Sequence, residues 1–461
     1  MSNWANTIQS PVRLQHPLIF IILADLLLIA GLSFLSPTAV LAVALGLFLL
    51  ALFYLPRLGY IYFLIIWLVY EALFISAEGP YEFYRLTAII LLMLLAWLKY
   101  LLTSDKVHLP SKPVFIPLLA FYIWSAITVI TSPSPMLSLL GYLRYVTYLA
   151  MFLLTYNLIK SEKDLRNVLY FTLIVLSPTL IAAVIQSFYL GHYRSSGFFH
   201  NPNTLSLFAV LGIAISLCFF NRWKPTMRNN VLFLIIFSIS ILALWSGGAR
   251  ASMLAFIAFA FAYLYWAKFY KTLACLIVLA IIGAFLLISN HPLMQNLAQY
   301  YRFYSGSSGR TFMWQFAIPM IMDHPIFGVG FYTIGEVFTS YCRETHPFVS
   351  QNIGGIVKHG LLHNGYLQKA GEVGITGLIL YLWANIAFIK YLISAKKGIN
   401  NPFIKNAAII AGTLLISRLA FSFVESAEQL GPITTQASFM VIFTSILKVI
   451  DMEQRPEMRS G

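Results

Sequence analysis

The sequence predicts an all-α polytopic membrane protein of 12 to 14 transmembrane helices, with one large loop outside the bundle that contains short helices. Three observations carry that prediction. Of the 461 residues, 59% are hydrophobic and only 10% are charged, far below the roughly 25% charged residues of soluble globular domains. Apolar runs long enough to cross a bilayer, about 20 residues, recur between short charged or Pro/Gly breaks. One long polar stretch, from about Asn290 to Gly371, interrupts the series.

The apolar runs centre near residues 26, 47, 67, 93, 122, 148, 177, 211, 238, 259, 279, 383, 414 and 441. Those near 47, 211 and 279 are the weakest, which sets the lower bound of 12. The chain therefore divides into an N-terminal bundle over 1–289, a loop over 290–371 that acts as a lid, and C-terminal helices with a short tail over 372–461. The first run, Leu18 to Leu35, follows a polar Met1 to Pro17 without a convincing cleavage site and reads as a retained span.

Lys and Arg set the orientation, because loops rich in them stay on the cytoplasmic side. With an inner N-terminus, the inner loops carry Arg57, Lys99 with Lys106 and Lys112, Lys160 with Lys163 and Arg166, Arg222 with Lys224 and Arg228, Lys268 with Lys271, and Lys396 with Lys397 and Lys405. Opposite loops such as Ser132 to Ser134 and Glu425 to Pro432 are short and poor in Lys, so the long loop lies outside and both termini inside. The net charge of +14 is mostly this anchoring charge and calls for no nucleic acid. Cys218 and Cys275 fall in apolar runs and Cys342 stands alone in the long loop, so no disulfide framework is implied.

Arg194, Arg250, Arg302, Arg310 and Arg343 lie on the outer face, where the charge bias disfavours them. Three accompany helix-start signals. Asn201-Pro202-Asn203 places an N-cap and an N1 proline just after Arg194. Ser246-Gly247-Gly248-Ala249-Arg250 opens another helix, and Ser308-Gly309-Arg310 opens a short helix within the loop. A helix start offers free N–H groups and a positive dipole end, and a guanidinium adds a fork matched to phosphate oxygens. Three such starts suit a diphosphate; the competing role is snorkelling to lipid headgroups. Arg144 lies inside a run and either lines a polar cavity or pairs with Glu71, Glu425 or Glu428.

Seven of the nine histidines, from His192 to His363, fall on the outer face. His363 stands in or just before the first turn of a helix running through Tyr366 into the membrane. It can act there as a general base kept neutral by the helix terminus, or serve as a cap or headgroup contact. Asn364 beside it can orient a sugar hydroxyl. The five Asp residues are widely spaced, with no Asp-x-Asp pair, no His-Glu-x-x-His, no Gly-x-Ser-x-Gly and no phosphate-cradling nucleotide loop. Metal-dependent, hydrolase and ATPase chemistry thus lack their usual residues, and no metal or other cofactor is expected.

The ordered set Ser195-Ser196-Gly197-Phe198-Phe199-His200-Asn201-Pro202-Asn203, Ser246 to Arg250, Gly309-Arg310 through Asp323-His324-Pro325-Ile326-Phe327-Gly328-Val329-Gly330, and His363-Asn364-Gly365-Tyr366-Leu367 with Glu372-Val373-Gly374-Ile375-Thr376-Gly377 resembles the O-antigen ligase and polymerase superfamily over about residues 190 to 395. The resemblance implies a glycosyltransferase of the Gram-negative inner membrane with its active site on the periplasmic face. Its partners would be an undecaprenyl-pyrophosphate-linked glycan as donor, lipid A-core as acceptor in the ligase branch, and the surrounding membrane lipids. By motif position, Arg250 and Arg310 match the family's essential arginines and His363 its essential histidine. Glu372 takes an acidic position that orients the helix. Arg194, Asn201, Asn203, Asn364, Tyr366 and Arg144 complete the expected substrate-binding set. An O-antigen or exopolysaccharide polymerase is the neighbouring function, and a lipid-linked glycan flippase is the alternative from another class.

Overall fold

The computed structural model describes residues 55–74, 81–103, 106–192, 194–199, 201–220, 227–288, 310–345, 362–425 and 434–455. Those residues form fourteen helices and no strand. They are α1 (Gly59–Phe74), α2 (Tyr81–Thr103), α3 (Lys112–Ile130), α4 (Pro135–Leu158), α5 (Glu162–Phe188), α6 (Pro202–Phe219), α7 (Met227–Gly247), α8 (Arg250–Trp266), α9 (Tyr270–Ile288), α10 (Arg310–Asp323), α11 (Ile334–Thr345), α12 (Gly365–Ala395), α13 (Pro402–Ser422) and α14 (Thr434–Gln454). Each expected apolar run from 67 onward coincides with a helix; those near 26 and 47 lie outside the described residues. Six helices, α3 to α6, α12 and α13, are long and apolar enough to cross a membrane.

Helix starts follow local chemistry. Ser161 accepts from the Asp164 N–H at 3.1 Å, Asn201 from Asn203 at 2.8 Å, and Asn401 from Phe403 at 3.0 Å, each cap being worth about 1 kcal/mol. Proline occupies the first turn of α3, α4, α6 and α13, where its missing N–H costs nothing.

The main core runs through α1 to α8 and α12 to α14, with Tyr156, Phe152, Phe208, Phe259 and Phe443 among its largest fully buried side chains. A second core joins Met313, Met320, Ile334, Phe338 and Cys342 of α10 and α11 to Leu362 and Ala370 at the start of α12. The loop thus carries its own small core, which the first turns of α12 complete.

Part of this loop is inserted into the bundle and is not simply a lid above it. α12 is broken at Gly374 (φ 74°, ψ 173°), a conformation essentially restricted to glycine. The break frees backbone groups, and segment 325–333 takes them up. Val329 N donates to Gly371 O at 2.8 Å, Gly330 N to Glu372 O at 2.9 Å, and Ile375 N to Pro325 O at 2.7 Å; the Trp124 indole N–H reaches Val373 O at 2.9 Å. Phe331 packs among Phe121, Tyr145 and Val373. Irregular backbone inside an apolar bundle is tolerated where protein satisfies it in this way.

Candidate functional site

Glu425, just past the end of α13, is fully buried and binds three chain segments. Arg310 Nη2 donates to its Oε2 at 2.7 Å, and Asn203 Nδ2 donates to the same oxygen at 2.9 Å. His363 Nδ1 bonds to Oε1. The partners keep some access to solvent: 20% of the Arg310 side chain and 30% of that of His363 are exposed, against 0% for Glu425.

Each partner is presented by a helix start. Arg310 is the first residue of α10, as the Ser-Gly-Arg turn predicts, and its second nitrogen donates to Val424 O at 2.6 Å. Asn203 lies in the first turn of α6; its Oδ1 accepts from Arg194 Nη2 at 3.4 Å, and Arg194 Nε reaches Gly247 O at 3.3 Å. Ser252, in the first turn of α8 behind Arg250, donates to Asn203 O at 3.3 Å. The starts of α6 and α10 therefore meet on one carboxylate, and the start of α8 is bonded to that of α6.

His363 stands two residues before α12 with φ 48°, a left-handed conformation that His tolerates better than most side chains. Asn364 follows as the N-cap. A carboxylate only accepts hydrogen bonds, so Glu425 holds the imidazole proton on Nδ1 and leaves Nε2 of the neutral ring with its lone pair free.

Five of the expected residues have structural duties. Asn364 accepts from Tyr366 N and Leu367 N and donates to Phe423 O at 3.0 Å; it is the buried cap of α12. The Tyr366 hydroxyl donates to Leu419 O at 2.7 Å, fixing α12 to α13. Glu372 is fully buried and accepts from Lys369 Nζ at 2.9 Å and from Gln368 at 3.2 Å. It therefore belongs to the broken segment of α12 and stands apart from the Glu425 cluster. Asn201 caps α6. Arg144 stacks over the Tyr332 ring at 4.5 Å. Of the acids expected for it, Glu425 is engaged by the cluster, and Glu71 and Glu428 lie outside the described side chains. Cys342 is buried, and burial pushes its thiol up to about 11, so it is protonated near neutral pH and unsuited as a nucleophile.

Glu425 is the residue that sequence reasoning placed poorly. It entered only as one candidate partner for Arg144. A carboxylate directly after an apolar run, in a chain with arginine at several helix starts, was the available signal.

Fold and cluster together define a helical protein with membrane-length apolar helices and an arginine-rich site at one end, with a histidine held by a buried carboxylate. Residues 235–382 match the family model described as O-antigen ligase, which supports the O-antigen ligase family for this chain. The match includes Arg250, Arg310, His363 and Glu372; Arg194, Asn203 and Glu425 fall outside it. A comparison with curated proteins gives no match.

Proposed function

We propose that the protein is an O-antigen ligase that transfers a glycan from undecaprenyl pyrophosphate to a sugar hydroxyl of lipid A-core, on the periplasmic face of a Gram-negative inner membrane that it crosses 12 to 14 times. The observation that carries this reading is the convergence of His363, Arg310 and Asn203 on Glu425.

His363 Nε2 takes the proton of the acceptor hydroxyl. The resulting oxygen nucleophile attacks the anomeric carbon from the face opposite the pyrophosphate. The carbon–oxygen bond to phosphate breaks, its electron pair leaves with the lipid pyrophosphate, and the anomeric configuration inverts. Glu425 holds the imidazole in register and offsets the positive charge it acquires, the role a carboxylate plays behind any histidine base. Arg250, Arg310 and Arg194 neutralise the departing diphosphate through guanidinium forks, supplying the charge stabilisation that a metal ion gives elsewhere. Asn203 ties Arg194 to the carboxylate.

The test is transfer by the purified protein with undecaprenyl-pyrophosphate glycan and lipid A-core, with and without a chelator. Glycosylated core at an unchanged rate under chelation is the expected result. Lengthened lipid-linked glycan would move the assignment to polymerase, and activity restored only by magnesium would remove the arginine mechanism.

A further inference from the structure

His363 carries its imidazole on a strained backbone, and the residues that hold that backbone lie away from the Glu425 cluster. Its φ of 48° is left-handed, and a residue other than glycine keeps such a conformation only where its surroundings over-determine it. The side chain is fixed at Glu425. On the chain side, both peptide groups that flank Leu362 are held. The Leu362 carbonyl accepts from the Trp314 indole N–H at 2.8 Å, and the Leu362 N–H donates to Gln368 Oε1 at 3.1 Å. Leu362 and Gln368 are both buried, so water cannot readily replace the bond between them.

Gln368 meets Leu362 with the right atom because of its other neighbour. Its Nε2 donates to Glu372 Oε1 at 3.2 Å, and a carboxylate only accepts, so the amide must turn its nitrogen to Glu372 and its oxygen to Leu362 N. The second oxygen of Glu372 accepts from Lys369 Nζ at 2.9 Å. That buried ammonium also donates to the Tyr145 hydroxyl on α4 and lies 4.4 Å and 4.8 Å from the ring centres of Tyr145 and Phe331. A buried ion pair is weak evidence for stability, because apolar residues of similar volume often serve a core as well or better. What this pair does supply is polarity: it fixes which way round the Gln368 amide stands.

We propose that Gln368, oriented by Glu372 and Lys369, is the positioning residue of His363 and sets the backbone that aims the imidazole. The assignment rests on reading His363 as the base, and it adds to Glu425 a second hold that acts on the main chain. The order of the relay makes a specific demand. In Glu372→Gln, Lys369 claims the new amide oxygen and the new amide nitrogen faces Gln368. The Gln368 amide then turns over and sets its own nitrogen against the Leu362 N–H, donor against donor. Removing the ammonium as well, with Lys369→Met, frees the new amide to offer its oxygen to Gln368 and restores the original polarity.

Two measurements on the purified full-length protein test the relay: hydrogen exchange at the Leu362 amide, read by mass spectrometry with fragmentation to single residues, and transfer per folded molecule. Gln368→Met and Glu372→Gln should each speed exchange at Leu362 by about tenfold, the effect of losing one hydrogen bond. Each should also lower kcat by roughly tenfold to a hundredfold, the range for a base displaced by about 1 Å, with the donor KM unchanged. Glu372→Gln combined with Lys369→Met should recover most of both losses; carrying no unpaired charge, it is also the variant to read if a single one fails to fold. A structural role alone would shift the unfolding midpoint and leave kcat per folded molecule where it was. Unchanged exchange in both single variants, unchanged kcat while exchange quickens, or a double variant as slow as Glu372→Gln overturns the assignment. If exchange responds as expected and the wild type transfers from no donor, the hold on His363 stands and the transfer reading falls.

Discussion

Glu425 and Asp451 are both fully buried carboxylates, at opposite ends of α12, and their surroundings differ in kind. Asp451 accepts from the Ser111 N–H at 3.0 Å, the Ser111 hydroxyl at 2.6 Å, the Tyr156 hydroxyl at 2.5 Å and the Tyr391 hydroxyl. Ser111 and Tyr156 are themselves buried, and Arg455 stands 3.6 Å away at the rim. Neutral donors saturate that carboxylate and bind the start of α3 and the ends of α4, α12 and α14 into a clamp. Glu425 is held by a guanidinium and an imidazole that remain partly exposed, each on a different chain segment. The first arrangement closes a bundle; the second keeps charge and a free ring nitrogen available to a ligand.

The largest expected effect comes from removing that nitrogen. His363→Ala should lower the transfer rate by about 10² to 10⁴ with little change in the unfolding midpoint, measured by transfer assay and thermal unfolding in detergent. A near wild-type rate in a folded variant would place the base elsewhere. Arg310→Lys keeps the charge but loses the fork that spans Val424 O and Glu425, and a loss of roughly tenfold or more is expected, comparable to one charge-assisted hydrogen bond.

Gly374→Ala addresses the backbone that sets the direction of the first turns of α12. A side chain there is disfavoured by the φ and would overlap Ile326 O, so a stability loss of roughly 3 kcal/mol should accompany slower transfer. Asp451→Asn should cost about 1 to 2 kcal/mol while turnover per folded molecule stays the same. A large turnover defect in Asp451→Asn at unchanged stability would erase the distinction between clamp and site.

Much of the fold was legible because it depends on short-range patterns. The apolar runs from 67 onward mark helices, Asn201-Pro202 marks the start of α6, and the turns before Arg250 and Arg310 mark α8 and α10. The site was legible only in parts. His363 and Arg310 stand out by residue type and by their place in the long polar stretch, but their meeting at Glu425 spans 62 and 115 residues, and periodicity carries no information over that range. The capping role of Asn364 was not legible, because a cap and a sugar ligand use the same amide groups and only the bonds to Tyr366 and Leu367 show the cap. The pairing of Gly328 to Gly330 with the break at Gly374 was hidden too, since glycines in two motifs do not reveal that their backbones touch.

The central claim is that Glu425 makes His363 and Arg310 one working unit. Its most direct test is a double-mutant cycle on the transfer rate with His363→Gln, Glu425→Gln and the pair. Residues that act as a unit give losses that do not add, so the double variant should be little slower than His363→Gln alone. Losses that multiply across the two substitutions would show that Glu425 and His363 act independently and would contradict the account.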